Sequence, residues 1–310
     1  MIKPALSAIL FSILLLIAGP PIAGAQTEDS THIDNKRLIT VAGAHAITIG
    51  GTLVALNQVW YKQYAKSSFH VKNDLGEWLQ VDKFGHAYSA YSMAGPMAAT
   101  YQWSGLSRRT SVMLGSLESF AVLSTIEMMD AYSAEWGFSD WDMAANVFGT
   151  LLFAGQELLW EEQRIQYKFS SRIRKYTPAL LEDRSKQVYG ENIAERMLKD
   201  YNAQSYWLSV GIHSFYKPWP KWLNVAVGYG ADDMYGAYFN TWKDANGKYY
   251  DKSDIHRYRQ YFLSLDVNLA NINTRYAFLN TVLDCLTIKV PAPTLEYTSQ
   301  GKFIFHPLYY

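Results

Sequence analysis

The chain has 310 residues and no formal net charge, with 28 basic and 28 acidic side chains. This balance argues against a nucleic-acid partner, because binding a phosphate backbone requires a concentration of Lys and Arg. A single cysteine, Cys285, excludes an intramolecular disulfide and a thiolate metal cluster. Aromatic residues make up 15% of the chain, which suits either a tyrosine-rich β core or contact with a membrane interface.

The N-terminus predicts export from the cytoplasm. Lys3 precedes an apolar stretch that ends at two prolines, and residues 23–25 have the A-x-A pattern of a cleavage site. We predict a cleaved signal peptide over residues 1–25 and a flexible leader over residues 26–36. An uncleaved N-terminal anchor is the alternative. Either prediction places the protein in the cell envelope, with the periplasm and both membranes left open.

Four segments of helix length follow the leader and are rich in Ala, Gly, Ser and apolar residues. Each approaches the roughly 20 residues that a helix needs to cross a bilayer, although polar side chains interrupt every segment. We predict a four-helix membrane-associated bundle over residues 37–165, with a soluble bundle as the alternative. The segments are residues 38–61, 83–103, 110–132 and 141–163.

The pattern changes in the C-terminal part of the chain. Apolar residues alternate with other residues over 206–213 and again over 261–269, which is typical of half-buried strands. We predict a helical connector over residues 166–204, then an antiparallel β region with one helix over residues 205–310. The predicted fold class is therefore α+β, a helical bundle followed by a small antiparallel sheet packed against it.

Eight polar side chains lie at the ends of the second, third and fourth predicted helices. Because consecutive helices of an up-and-down bundle alternate in direction, these three ends would meet. Carboxylates on otherwise apolar helices are costly unless they are paired or bind a cation. The predicted cluster comprises Asp82, Lys83, His86, Glu127, Asp130, Asp140, Asp142 and Asn146.

The cluster has two interpretations. One histidine with several carboxylates suits a divalent metal or general acid–base chemistry, which makes a divalent metal the candidate cofactor. Under the structural interpretation, Asp82 and Asp140 cap helices and the other side chains satisfy one another. The common enzyme signatures are absent from the sequence, so no reaction is identified. The candidate metal ligands or catalytic groups are His86, Glu127, Asp130 and Asp142.

Three motifs in residues 78–155 resemble the YfiM-like family of predicted periplasmic lipoproteins. They are the D-K-x-x-H that begins at Asp82, the E-x-x-D that begins at Glu127, and the W-G-F-S-x-x-D that begins at Trp136. The same residues are more distantly similar to VanZ-like membrane proteins. The resemblance implies an envelope location and a site, but no reaction. The lipid-bearing cysteine of the short family members is absent here.

We therefore hypothesise an exported envelope protein with a membrane-associated binding or structural role. Its partner would be a membrane lipid or another envelope component, and the sequence identifies no protein partner. The alternative is a metal-assisted hydrolase that acts on a lipid-linked or phosphorylated envelope substrate. That alternative requires His86 to lie within about 8 Å of the carboxylates, because metal–ligand bonds are only about 2 Å long.

Overall fold

The computed structural model describes residues 33–59, 61–244, 246–272 and 274–309. The predicted signal peptide and most of the predicted leader lie outside the described residues. Within them, the chain combines helices with an antiparallel sheet, so the predicted α+β class is confirmed.

Four long helices occupy the segments in which the sequence predicts helices. The second packs closely against the third and fourth, whereas the first contacts its neighbours sparsely. The four-helix membrane-associated bundle therefore stays a prediction. The helices are α1 (Asn35–Val59), α2 (Val81–Trp103), α3 (Arg108–Ala131) and α4 (Asp140–Leu159), with 3-10 helices at Tyr61–Gln63 and Glu77–Gln80.

Two glycines bring the backbones of these helices into contact. A Cβ atom added at Gly149 of α4 would lie 1.9 Å from the carbonyl oxygen of Ala87 in α2. A Cβ atom at Gly115 of α3 would lie 2.4 Å from the backbone nitrogen of Ala98, also in α2. These close approaches account for the small residues in the predicted helices, because a larger side chain would separate the helix axes.

Two of the helices are long and apolar enough to cross a membrane. They are α1, over Asn35–Gln58, and α3; the tested window is 11% buried in α1 and 44% buried in α3. Length and composition are weak criteria, since the core helix of a soluble protein meets them too.

Among the described residues, eight strands follow these four long helices. Six of them form one antiparallel sheet in the order β1-β2-β3-β6-β7-β8, and β4 pairs with β5 in a separate hairpin. Residues 287–289 line the outer edge of β1, where the Phe169 amide donates to the carbonyl of Thr287 and the Lys289 amide to that of Phe169. The strands are β1 (Ile165–Ser171), β2 (Gln204–Val210), β3 (Leu223–Asp232), β4 (Thr241–Lys243), β5 (Tyr249–Asp251), β6 (Tyr258–Val267), β7 (Ala292–Thr298) and β8 (Phe303–Tyr309).

The predicted helical connector over residues 166–204 contains a strand as well as helices. Strand β1 pairs with β2 along its full length. The sequence obscures this strand because Lys168, in its middle, is buried and does not mark a solvated face. The remaining helices are α5 (Ala179–Tyr189), α6 (Ile193–Lys199), α7 (Ile212–Phe215) and α8 (Ala277–Cys285), with a 3-10 helix at Leu269–Asn271.

A single aromatic core joins the helices to the sheet. The ring of Phe84 in α2 stacks on Tyr229 in β3, with centroids 4.3 Å apart and planes 13° apart. The hydroxyl of Tyr167 in β1 donates a 3.1 Å hydrogen bond to the carbonyl of Phe84. One turn along α2, Tyr88 contacts Phe169 of β1. Helix α2 is therefore the element that both halves of the molecule share.

Candidate cation site between three helices

The start of α2 is fixed by a short left-handed segment. Trp78, Leu79 and Gln80 have φ values of 49°, 49° and 69°, a conformation that L-residues rarely adopt. Several hydrogen bonds hold this segment: the Trp78 amide donates to the carbonyl of Ala237, and the Tyr229 hydroxyl donates to that of Leu79. The Arg259 guanidinium donates to Oε1 of Gln80. The segment sets the direction in which α2 begins, and hence where its first polar side chains point.

The start of α4 is fixed by Ser139. Its hydroxyl accepts from the amide of Asp142 at 3.0 Å and donates to Oδ1 of Asp74. Its own amide donates to Oε2 of Glu127 at 3.3 Å. Ser139 is thus the N-cap of α4, and Gln80 occupies the N-cap position of α2. The structural interpretation, in which Asp82 and Asp140 are the caps, is wrong on this point.

Three of the predicted candidates converge in the structure, each from a different helix. His86 Nε2 lies 3.7 Å from Oε1 of Glu127 and 3.8 Å from Oδ2 of Asp142. One potential ligand atom of each residue lies within 4.8 Å of the others. All three side chains are buried; His86 is 4% exposed and the two carboxylates are 0% exposed.

The other ring nitrogen of His86 is oriented by Asn146. Nδ1 lies 3.2 Å from Oδ1 of Asn146, one turn beyond Asp142 in α4. An amide oxygen can only accept a hydrogen bond, so Nδ1 carries the proton in the neutral ring. Nε2 then presents a lone pair toward the two carboxylates, as in protein metal sites where a second side chain fixes the histidine tautomer.

The ammonium of Lys83 lies among a neighbouring group of three carboxylates. Its Nζ lies 2.7 Å from Asp74, 3.1 Å from Asp82 and 2.7 Å from Asp142. These three carboxylates also satisfy the distance criterion for a metal group, but the ammonium already lies among them. The His86, Glu127 and Asp142 group is therefore the better candidate for an external cation.

The charge of this region favours a cation. Among the residues that the structure describes, five buried carboxylates and one buried ammonium lie at this end of the helices, besides Glu77, which pairs with the half-exposed Lys72. Buried like charges are costly unless a cation or protons compensate them. The carboxylates are those of Asp74, Asp82, Glu127, Asp130 and Asp142, and the ammonium is that of Lys83.

The predicted cluster is largely, but not wholly, brought together. Asp140 is exposed in the first turn of α4 and takes no part in the cluster. Asp130 is buried, yet its Oδ1 accepts a 2.6 Å hydrogen bond from the Tyr61 hydroxyl, and it lies outside both candidate metal groups. Asp74 also belongs to this region, and the sequence does not indicate it, because a single acid in a polar connector is typical of a turn.

Comparison with known proteins supports an envelope location. Residues 73–154 match the sequence profile of a family described as predicted periplasmic lipoprotein (DUF2279). The matched segment includes α2, α3, most of α4, and Asp74. No curated protein and no solved structure matches the chain. The chain is therefore an exported protein of the cell envelope, and the match assigns it no activity.

Proposed function

We propose that this exported envelope protein binds a divalent cation at His86, Glu127 and Asp142. Because these ligands lie on α2, α3 and α4, the bound cation would link the three helices. The observation that carries the proposal is the convergence of three buried potential ligand atoms within 4.8 Å of one another. One imidazole nitrogen with two carboxylate oxygens suits Zn²⁺ or Mn²⁺ better than Mg²⁺ or Ca²⁺, which favour oxygen ligands alone.

The burial of the three ligands favours a structural role for the cation. Three protein ligands are also the number of a catalytic zinc site, but the remaining coordination position of a catalytic metal must be accessible to water or substrate. Here each ligand comes from a different helix and each is almost fully buried. A bound cation would replace the repulsion between two carboxylates with attraction, and would stabilise the folded state by its binding free energy.

A metal-assisted hydrolase is the second candidate function. It draws support from His86, which lies within 4 Å of Glu127 and Asp142, two of the three carboxylates that this candidate requires. The YfiM-like and VanZ-like resemblances favour a site at these same residues. Release of phosphate from a phosphomonoester by the metal-loaded protein would distinguish this candidate from a structural cation.

The proposal is tested by thermal unfolding of the mature protein after chelation, with and without Zn²⁺ or Mn²⁺. A cation at about 100 times its Kd should stabilise the fold by about 2.7 kcal/mol and raise Tm. His86→Gln and Glu127→Gln should abolish the rise in Tm and the metal content measured by mass spectrometry.

Asp140→Asn is the matched control, because Asp140 is an exposed carboxylate in the first turn of α4. This variant should respond to the cation as the unsubstituted protein does. An equal rise in Tm in His86→Gln, or no bound metal in the unsubstituted protein, would contradict the proposal.

A further inference from the structure

One face of the six-stranded sheet carries its polar and charged side chains, and this face is buried. In the adjacent strands β6 and β7, alternate residues on this face are less than 5% exposed. Soluble half-buried sheets have the opposite arrangement, with apolar residues toward the core and polar residues toward water. The polar residues are Gln260, Ser264 and Asp266 in β6 and Thr294, Glu296 and Thr298 in β7.

Charged pairs form the centre of this polar face. Lys168 Nζ lies 2.6 Å from Oδ2 of Asp266, and both side chains are at most 1% exposed. Ser209 donates a 2.6 Å hydrogen bond to the same carboxylate oxygen. Toward β8, His306 Nε2 lies 2.6 Å from Oε2 of Glu296. The interior of the sheet therefore combines ion pairs and hydrogen bonds with a small apolar cluster of Trp207, Ala226, Phe262 and Tyr309.

The opposite face of the same strands is apolar and arranged in rows across the sheet. The first row is aromatic, and the second is mainly aliphatic. Neither row contains a charged residue. The aromatic row pairs Tyr206, Tyr229, Tyr261, Tyr297 and Phe303 across β2, β3, β6, β7 and β8, and the second pairs Leu208, Val227, Leu263, Leu295 and Phe305.

Helix α2 covers this apolar face only over β1, β2 and the adjoining part of β3. Farther along the sheet the rows are open: Leu263 is 50% exposed, Leu295 is 49% exposed and Phe305 is 62% exposed. These residues form one continuous surface, because each pairs with the next across neighbouring strands. A continuous apolar surface of this kind marks a contact with an apolar partner.

We propose that this apolar face of β3, β6, β7 and β8 contacts the hydrocarbon region of a lipid bilayer. An uncharged, apolar surface complements hydrocarbon. Charges directed to the opposite face are the arrangement of membrane-embedded sheets, which also carry aromatic rows at the level of the headgroups. A partner that binds from water does not account for the buried ion pairs on the other face.

Two of the four strands are long enough to cross the hydrocarbon. Strands β3 and β6 are each ten residues long, which matches the 9–11 residues of a tilted strand in a bilayer, whereas β7 and β8 have seven residues each and would enter it without crossing. Arg259 precedes Tyr261 by two residues on the same face, beyond the aromatic row, and its guanidinium donates a 2.8 Å hydrogen bond to Oε1 of Gln80. This inference goes beyond the cation site and does not depend on it.

The test uses site-specific fluorescent labels on the full mature protein. In a Cys285→Ser background, Leu263→Cys and Leu295→Cys carry an environment-sensitive dye on the apolar face, and Lys243→Cys carries it on the exposed hairpin strand β4. The protein is reconstituted in vesicles of phosphatidylethanolamine and phosphatidylglycerol that contain an acyl-chain nitroxide. The dyes at positions 263 and 295 should be quenched by the nitroxide, and the dye at position 243 should not.

Two outcomes would overturn the proposal. Quenching of the dyes at positions 263 and 295 by aqueous iodide alone would mean that the face is in water. Protection from both quenchers would mean that a second copy or another protein covers it. Because no residue of the sheet belongs to the His86, Glu127 and Asp142 group, the label pattern should persist in a folded His86→Gln variant whether or not the cation site exists.

A charge on the face gives an independent measurement. Leu263→Lys should reduce partition into the same vesicles roughly 30-fold or more, because a lysine within the hydrocarbon is strongly unfavourable. The matched change Lys243→Leu should leave partition unchanged, and near-ultraviolet circular dichroism should verify the fold of both variants. Unchanged partition of a folded Leu263→Lys variant would also overturn the proposal.

Discussion

Asp200, between α6 and β2, is a buried carboxyl whose protonation is linked to folding. Burial raises its pKa from the ordinary 3.8 to about 6, although a 2.6 Å hydrogen bond from the Tyr176 hydroxyl to its Oδ1 opposes the rise. Oδ2 has no hydrogen-bond partner among the described residues, which suits a protonated oxygen. The folded state therefore binds this proton more tightly than the unfolded state does.

We expect Asp200 to make the protein less stable as the pH rises. Its stabilising contribution is complete below about pH 4 and is lost as the pH rises through about 6. Between these pH values the carboxyl is ionised in the unfolded state but stays protonated in the folded state. Asp200→Asn should remove that decline and raise the free energy of unfolding at about pH 7 by up to about 3 kcal/mol. Denaturant unfolding from about pH 4 to about pH 7 measures both.

The control for this prediction is Asp183→Asn, since Asp183 is an exposed acid in the nearby helix α5. That variant should retain the decline of the unsubstituted protein. If Asp200→Asn also retains it, the protonation of Asp200 is not linked to folding in this way.

At the residue scale, the sequence identified the candidate ligands but not their surroundings. His86, Glu127 and Asp142 stand out because charged side chains on small-residue helices need compensation, and that argument requires no tertiary structure. The contact between Asp74 and Lys83 could not be predicted, since Asp74 lies in an irregular connector that no periodicity describes. The exposure of Asp140 depends on Ser139 taking the cap position, and both residue types favour that position.

At the element scale, the close approach of α4 to α2 depends on Gly149. Gly149→Ala should lower the free energy of unfolding by roughly 3 kcal/mol, because the new methyl group would overlap the carbonyl of Ala87 and force the helices apart. Gly155→Ala is the matched control in the same helix, since a Cβ there meets nothing within 4 Å. It should stabilise the protein by up to about 1 kcal/mol through helix propensity.

Guanidinium unfolding of both variants measures the difference. Equal stabilities for Gly149→Ala and Gly155→Ala would mean that α2 and α4 can separate at little cost. A loss of stability in Gly155→Ala would instead show that its surroundings are more crowded than the structure indicates.

The elements themselves were predictable to different extents. Four helix-length segments are visible in the sequence because each runs for more than five turns, and such long segments give a clear pattern. The sequence does not reveal strand β1, because the sheet buries Lys168 and a lysine in a sequence pattern ordinarily indicates a position that faces water. The alternation of apolar and other residues along the strands is visible in the sequence, but this alternation does not say which face of the sheet is buried.

At the scale of the whole molecule, the helices and the sheet should unfold together. The stack of Phe84 on Tyr229 joins them, and a double-mutant cycle with Phe84→Leu and Tyr229→Leu should give a coupling free energy of about 1 kcal/mol. Phe84→Leu with Tyr250→Leu is the control, because Tyr250 stacks on Trp242 in the separate hairpin. That pair should be additive, and equal coupling in both cycles would contradict the prediction.

The edge of β1 that pairs with residues 287–289 also determines when the protein can finish folding. A chain that leaves the cytoplasm with its N-terminus first exposes β1 long before residue 289 follows. During that interval one edge of the strand has no backbone partner from residues 287–289, and unpaired strand edges promote aggregation. Completion of the sheet is thus a late event in secretion, because it requires residues 287–289 to have left the cytoplasm.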